Sequence, residues 1–253
     1  GGKNAGSIGM VGNTGFTQLL KDDYGHQEVN LNLGCPSGTV TAKGKGAGFL
    51  AEPQKLDQFL DQIFSKLDMK ISIKTRIGTH YEEDWEYLLA IYEKYPIHEL
   101  IIHPRIQTDM YRGVPRLGAY EKAVNRLKMP LCYNGNLFSA ADYKRITERF
   151  PDTCCFMYGR GLITNPGLIT EIREGIRPNK KTVREFHDCL FEEYRELLSG
   201  ERNVLFRMKE LWSYMAINFT NYEKYAKKIK KSQHLSEYSS VVSSLFAEQD
   251  LID

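Results

Sequence analysis

Cys35 stands between Gly34 and Pro36, directly after Val29-Asn-Leu-Asn-Leu33, a stretch in which apolar and amide residues alternate. The alternation predicts a strand, and the Gly-Cys-Pro turn then projects the thiol from its carboxyl end. In parallel α/β folds that end of the strands carries the chemistry. A thiol held there can act as a general acid, because an ordinary thiol is mostly protonated at neutral pH. It can instead attack as a thiolate, which would require a histidine or a helix dipole beside it. Asn32 shares a strand face with Asn30, opposite to Leu31 and Leu33.

Four later segments place polar groups at comparable points. Lys74 closes the run Lys70-Ile-Ser-Ile-Lys74, so its amine would reach the same edge, where a cation can stabilise developing negative charge. Arg76, just beyond, suits a phosphate or a base. His103 closes Leu100-Ile-Ile-His103, with Arg105 two positions later. Asn134-Gly135 and Gly159-Arg160-Gly161 each follow an apolar run and precede a helical pattern. Backbone N–H groups and a helix N-terminus hold phosphates in such turns, and Arg160 would add a charge-assisted contact. Gly44, Gly46 and Gly48 do not make a dinucleotide fingerprint, since they lie about ten residues beyond the strand with no ribose-binding acid at the right distance. They read as a flexible lid over Cys35, with Lys43 and Lys45 available to a polyanion.

The elements that must position these groups follow from periodicity. Strands are expected over 28–33, 70–75, 99–103, 130–133 and 154–158, with a sixth candidate over 7–11. Helices are expected over 53–67, 81–95, 118–127 and 139–150, each with apolar residues three or four apart. Repeated βα units predict a parallel sheet, closed as a barrel or open. From about Lys181 the pattern turns to successive helices over 182–198, 202–219, 222–231 and 236–245, with breaks at Gly200 and Asn221. The third of these carries Lys224, Lys227, Lys228, Lys230 and Lys231 beside Tyr222 and Tyr225, a basic stripe that suits an RNA backbone or a solvated helix face.

A chain of 253 residues with 42% hydrophobic content can bury a sizeable core. Its net charge of +2 neither demands nor excludes a polyanionic partner. No apolar run reaches the roughly 20 residues needed to span a bilayer, and a cytoplasmic location is expected. Five cysteines, an odd number, show no metal-ligand spacing, so reduced thiols and no metal are expected.

Cys35 with its preceding Asn32, Lys74-Thr-Arg76 with Gly78, His103-Pro-Arg105, Asn134-Gly135-Asn136 and Gly159-Arg160-Gly161 occur in an order that resembles the tRNA-dihydrouridine synthases, flavoenzymes that reduce a uracil ring in tRNA. The resemblance extends from about Val29 to about Lys231. It implies a (β/α)8 TIM-type barrel, here lacking its first βα units, over residues 1–180, and a helical tRNA-binding domain over 181–253. It implies FMN as cofactor, NADPH as reductant, tRNA as partner and a monomeric chain. It makes Cys35 the acid that protonates the uracil ring while hydride arrives from the flavin. Asn32, Arg76, Arg105 and Lys43 then become substrate contacts, and Lys74, His103, Asn134, Gly135, Gly159 and Arg160 hold the cofactor.

The chain departs from the family pattern in several places. The Ala-Pro-Met strand and a flavin-touching glutamine are not recognisable, because Gln18 falls within an expected helix over 14–24. Asn136 replaces a common acidic residue, and Pro104 interrupts the His-Gly-Arg order. Two rival readings stay open: an FMN-dependent oxidoreductase for a free small molecule, and a non-catalytic RNA-binding remnant.

Overall fold

The computed structural model describes residues 6–8, as backbone, and 20–252. Six strands form one sheet in the order of the chain, β1 (Gly6–Ile8), β2 (Glu28–Leu33), β3 (Lys70–Arg76), β4 (Glu99–His103), β5 (Leu131–Tyr133) and β6 (Cys155–Phe156). Every neighbouring pair is parallel. The α/β class with a parallel sheet is therefore observed. The candidate strand over 7–11 appears as Gly6–Ile8; its last three residues and most of the expected helix over 14–24, Gln18 included, lie outside the described residues. Among the described residues no helix is long and apolar enough to cross a membrane.

A four-residue helix α1 (Gly38–Thr41) and a 3-10 turn (Gly46–Ala51) follow β2. The longer connections are α2 (Pro53–Lys66), α3 (Asp84–Tyr92), α4 (Leu117–Arg126) and α5 (Ala140–Arg149). Pro53 starts α2, where its missing N–H costs nothing. Helix α3 begins three residues later than periodicity suggests, because Gly78 at φ +151 lets the chain turn tightly on itself. A Cβ at Gly78 would fall 2.6 Å from the Tyr81 carbonyl oxygen.

The register sorts the strands into two faces. Leu31, Ile73 and Leu100 are level with one another, as are Leu33, Thr75 and Ile102, and these side chains meet the helices. Thr75 Oγ1 lies 2.8 Å from the Tyr92 hydroxyl of α3, and Tyr133 packs edge-on against Tyr120 of α4. Trp85 is fully buried and donates from Nε1 to Ala119 O at 2.8 Å, which joins α3 to α4. The opposite face carries the polar set: Asn30 level with Ser72 and Glu99, then Asn32 level with Lys74, Ile101, Cys132 and Cys155, then Arg76 level with His103. Alternate residues of a strand point to opposite faces, so the spacing that hides Leu31 and Leu33 aligns the amides and cations.

The remaining helices are α6 (Arg160–Thr164), α7 (Leu168–Glu174), α8 (Lys180–Leu197), α9 (Glu201–Met215), α10 (Tyr222–Lys231) and α11 (Leu235–Glu248). The short α6 and α7 are additions to the sequence expectation. Gly200 at φ +82 and Asn221 at φ +47 break the helices where expected, Asn being the residue after Gly that best tolerates the left-handed region. Asn179 caps α8 by accepting from Thr182 N–H. The chain divides into two compact units, Gly1–Gly135 with Thr147–Met157, and Asn136–Ile146 with Tyr158–Asp253. The whole sheet belongs to the first, and all the helices from α6 onward belong to the second.

The second unit has its own core of Val204, Met208, Leu211, Trp212, Met215, Phe219, Tyr225, Ile229, Tyr238 and Leu245. Within it, Tyr238 Oη accepts from Trp212 Nε1 at 2.6 Å and lies 2.6 Å from His187 Nε2. His187 Nδ1 lies 2.8 Å from Asp188 Oδ1. One arrangement of protons satisfies all of these: the Tyr238 hydroxyl donates to Nε2 and the Nδ1–H donates to Asp188.

Candidate active site at the carboxyl edge of the sheet

The turn after β2 is held from several sides. The Asn32 side-chain oxygen accepts from Gly34 N–H at 3.1 Å. A Cβ on Gly34 would lie 3.2 Å from the Thr75 carbonyl carbon, so glycine lets the turn pass this close to β3. Arg76 Nε donates to Gly34 O at 3.1 Å. Beyond the turn, Ala47 N–H donates to Cys35 O at 2.9 Å. Gly46, at φ +55, sits so close that a Cβ there would approach Cys35 O to 2.7 Å. The Cys35 side chain itself stays partly exposed. The glycine run is thus a support docked on Cys35 rather than a loose lid, because its middle glycine has no side chain to keep the two backbones apart. Lys43 and Lys45 remain on the surface.

Lys74 is level with Asn32 across the sheet. Its ammonium makes no ion pair or hydrogen bond among the described residues. Burial, with a smaller push from Arg76, lowers its pKa from 10.5 to about 8, and the Cys132 and Cys35 side chains act in the opposite sense. A half-buried cation without a partner is costly unless a ligand supplies the negative charge.

Arg76 and Arg105 depart from the expectation of substrate contact. Arg76 is 1% exposed, and its other two nitrogens donate to Ile106 O at 2.8 Å and Met110 O at 2.6 Å. Arg105 is fully buried and donates to Arg112 O at 3.1 Å and Gly113 O at 2.5 Å. Both guanidiniums therefore fasten the loop after β4 to the sheet edge. The physical reason is the five-donor fork of arginine, which satisfies several carbonyls that a loop would otherwise leave unpaired. Met110 is drawn to φ +54, a strained value for a residue with a Cβ.

His103 is buried, and its Nε2 lies 2.8 Å from Arg105 Nη1. A guanidinium can only donate, so Nε2 accepts and the ring proton sits on Nδ1. Arg105 thereby fixes which nitrogen of His103 can donate. Sequence reasoning passed over Tyr111 in the same loop. Its ring centroid is 6.2 Å from that of His103 and 5.5 Å from the Arg76 guanidinium carbon, and the residue is 52% exposed. The one available signal was an aromatic two residues before Gly113 in the loop after β4.

The remaining candidates fall elsewhere. The Asn134 amide nitrogen donates to Met157 O at 2.8 Å, tying the end of β5 to the end of β6. Gly135 is close-packed, since a Cβ there would lie 3.1 Å from the Tyr133 hydroxyl and from Pro115. Gly159 and Arg160 lie in the second unit. Gly159 has open space where a Cβ would be, while Arg160 donates to Asn136 Oδ1 at 3.2 Å and lies over the Phe138 ring at 5.3 Å. Gly161 allows a contact with Leu137 that no side chain would permit. Helix α6 is only five residues long, too short for a developed N-terminal dipole.

Strand pairing also gathers Glu99, Cys132 and Cys155, whose ligand-type atoms lie within 4.8 Å of one another, a grouping that linear spacing does not display. Burial pushes the Cys132 thiol pKa up. On α10, Lys224, Lys227, Lys228, Lys230 and Lys231 are exposed, whereas Tyr225 and Ile229 are buried. Tyr225, one of the two tyrosines counted beside the lysines, is thus a core anchor, because the apolar positions of an amphipathic helix turn inward. Leu211 and Trp212 are core as well.

Comparison with known proteins gives this edge a context. The family model for dihydrouridine synthase (Dus) matches residues 16–249. The probable tRNA-dihydrouridine synthase 1 of Synechocystis sp. is 26% identical over 241 residues, covering 90% of this chain and 63% of that protein. The tRNA-dihydrouridine(20/20a) synthase of Vibrio cholerae is 27% identical, covering 72% and 60%. The tRNA-dihydrouridine synthase B of Pasteurella multocida is 28% identical, covering 58% and 44%. The chain thus spans between 44% and 63% of the length of these relatives. With the model match running through both compact units, the chain belongs to the dihydrouridine synthase family.

Proposed function

We propose that this chain carries out the reduction of uridine to 5,6-dihydrouridine in tRNA, with FMN as cofactor and NADPH as reductant. The observation that carries the reading is the nearness of a partly exposed thiol, Cys35 in the turn after β2, to the ammonium of Lys74 on β3, which has no partner among the described residues, at the carboxyl edge of one parallel sheet. The names of the relatives supply the tRNA uracil as substrate. The six parallel strands are read as staves of a (β/α)8 TIM-type barrel, and the helices from about residue 181 as a tRNA-binding domain.

The residues at the edge fit a flavin. Among the described residues Lys74 lacks the negative partner that the pyrimidine edge of such a ring provides, and His103, with its tautomer set by Arg105, is assigned to the ring beside it. Gly159 and Arg160 are assigned to its phosphate by their own backbone and charge. When bound, the cofactor supplies the hydride that the protein cannot. Cys35 holds the proton delivered to carbon 5 of the uracil, on a thiol whose backbone is fixed by Gly46 and Ala47. Asn32 is assigned to the uracil beside it, its oxygen being used to shape the Cys35 turn. Arg76 and Arg105 position rather than bind, by holding the loop that carries Tyr111. Lys43, Lys45 and the α10 lysines are assigned to tRNA phosphates.

Mass spectrometry of tRNA from cells with and without the gene tests the reading, and loss of dihydrouridine at a defined position is expected. No change at any position would sink it. Cys35→Ala is expected to retain flavin absorbance while product formation falls by about 10²-fold or more; unimpaired turnover would remove the acid role.

A further inference from the structure

We infer that the loops after β3 and β4 form a stacking rim for the unpaired nucleotides that flank the target uridine, with Tyr81 and His80 as its contact residues. This rests on the tRNA reading above and adds a positioning surface to it. Tyr81 is 68% exposed, and the exposed His80 ring sits beside it at 6.4 Å in an edge-on arrangement. A single exposed aromatic is ordinary on a protein surface, but two neighbouring rings at the carboxyl edge of the sheet offer faces on which a base can stack. The backbone on either side of them is tied down. Gln107 N–H donates to Gly78 O at 3.0 Å, and Thr108 N–H donates to Thr79 O at 3.2 Å. The Thr79 backbone N–H donates to Asp84 Oδ2 at 3.4 Å, and Arg116 joins Glu82 at 3.0 Å to Asp109.

The two loops are therefore one braced ledge at the edge where Cys35, Lys74 and His103 lie, with Tyr111 on its inner side and Val114 exposed on it at 81%. Its nearby carboxylates, Glu82, Asp84 and Asp109, are engaged by Arg116 or Thr79. A ledge that presents ring faces, and whose carboxylates outnumber the one guanidinium that bridges two of them, suits base planes better than phosphates. Every nucleobase has such a plane, and a uridine presented for chemistry leaves its neighbours unstacked.

The test is fluorescence anisotropy of an unmodified tRNA transcript against salt concentration, using the FMN-loaded chain. Tyr81→Ala is expected to weaken binding about tenfold and to raise KM for tRNA, while the slope of affinity against salt and the rate of NADPH-driven flavin reduction stay as in the wild type. Tyr81→Trp is expected to restore affinity. Replacing Lys43 and Lys45 by Ala should do the converse and flatten the salt slope. Wild-type affinity in Tyr81→Ala would overturn the stacking rim and leave the proposed function standing. A Tyr81→Ala loss accompanied by a flattened slope would also overturn it, since the contact would then be electrostatic. A wild-type chain that neither binds tRNA nor forms dihydrouridine would overturn both.

Discussion

The cations of the sheet edge and those of α10 are put to opposite uses. At the edge, Arg76 and Arg105 are buried and bonded to backbone carbonyls, and Lys74 is half-buried with no partner among the described residues. On α10, five lysines stand in solvent above an apolar core. Burial makes the difference. A charge removed from water must be satisfied by fixed groups and so becomes part of the architecture, whereas a hydrated charge contributes little to folding and acts at a distance.

Arg76→Ala should have the largest effect on stability, because it strands three loop and turn carbonyls in the interior. A loss of about 3 kcal/mol or more is expected in urea unfolding, and Arg76→Lys should not restore it, since an ammonium lacks the fork. If either variant were neutral, the architectural half of the contrast would be lost.

Acid should reveal the next effect. Burial lowers the His187 pKa from 6.5, so the folded second unit favours the neutral ring. Its contribution is complete above pH 6.5 and is lost as pH falls below that value and through the folded-state pKa. Thermal unfolding of the wild type is expected to show this decline, and His187→Gln should flatten it.

Lys74 should give a signature of the reverse kind at alkaline pH. Its folded pKa of about 8 lies below 10.5, so the unfolded chain binds more protons between those values and Lys74 makes stability rise with pH across that window. Lys74→Met should abolish that component. Bound flavin should weaken as pH rises through 8, which fluorescence titration of free FMN can read.

The smallest effect on folding is expected where the charge is most conspicuous. Reversing Lys227, Lys228, Lys230 and Lys231 to Glu should alter stability by no more than about 0.5 kcal/mol each, yet sharply weaken tRNA binding and its salt dependence. Unchanged tRNA turnover would leave α10 as a solvated face.

Much of this was legible in the chain. The alternation in Glu28–Leu33 and the closing His103 predict strands whose bounds match the structure, and Tyr222–Lys231 is a helix of the expected length. Such elements are strongly periodic and end in clear turn residues. The start of α3 was missed because Tyr81 and Trp85 keep helical spacing across a turn that Gly78 bends. Side-chain roles were less legible. Arg76 and Arg105 looked like ligand contacts because both follow strand ends, and a sequence does not display the carbonyls that a folded loop will bring to them. Tyr111 and the meeting of Glu99 with Cys132 and Cys155 were hidden for the same reason.

By itself, the sequence determined the order of strands and helices, the polar face of the sheet and the Cys35 turn, because those depend on local periodicity and on the backbone limits of Gly and Pro. Only tertiary structure decided which cations are locked into carbonyl cages, that Lys74 is half-buried without a partner among the described residues, and which aromatics reach solvent. Those outcomes depend on desolvation and on partners distant along the chain, and neither is written in the spacing of neighbouring residues.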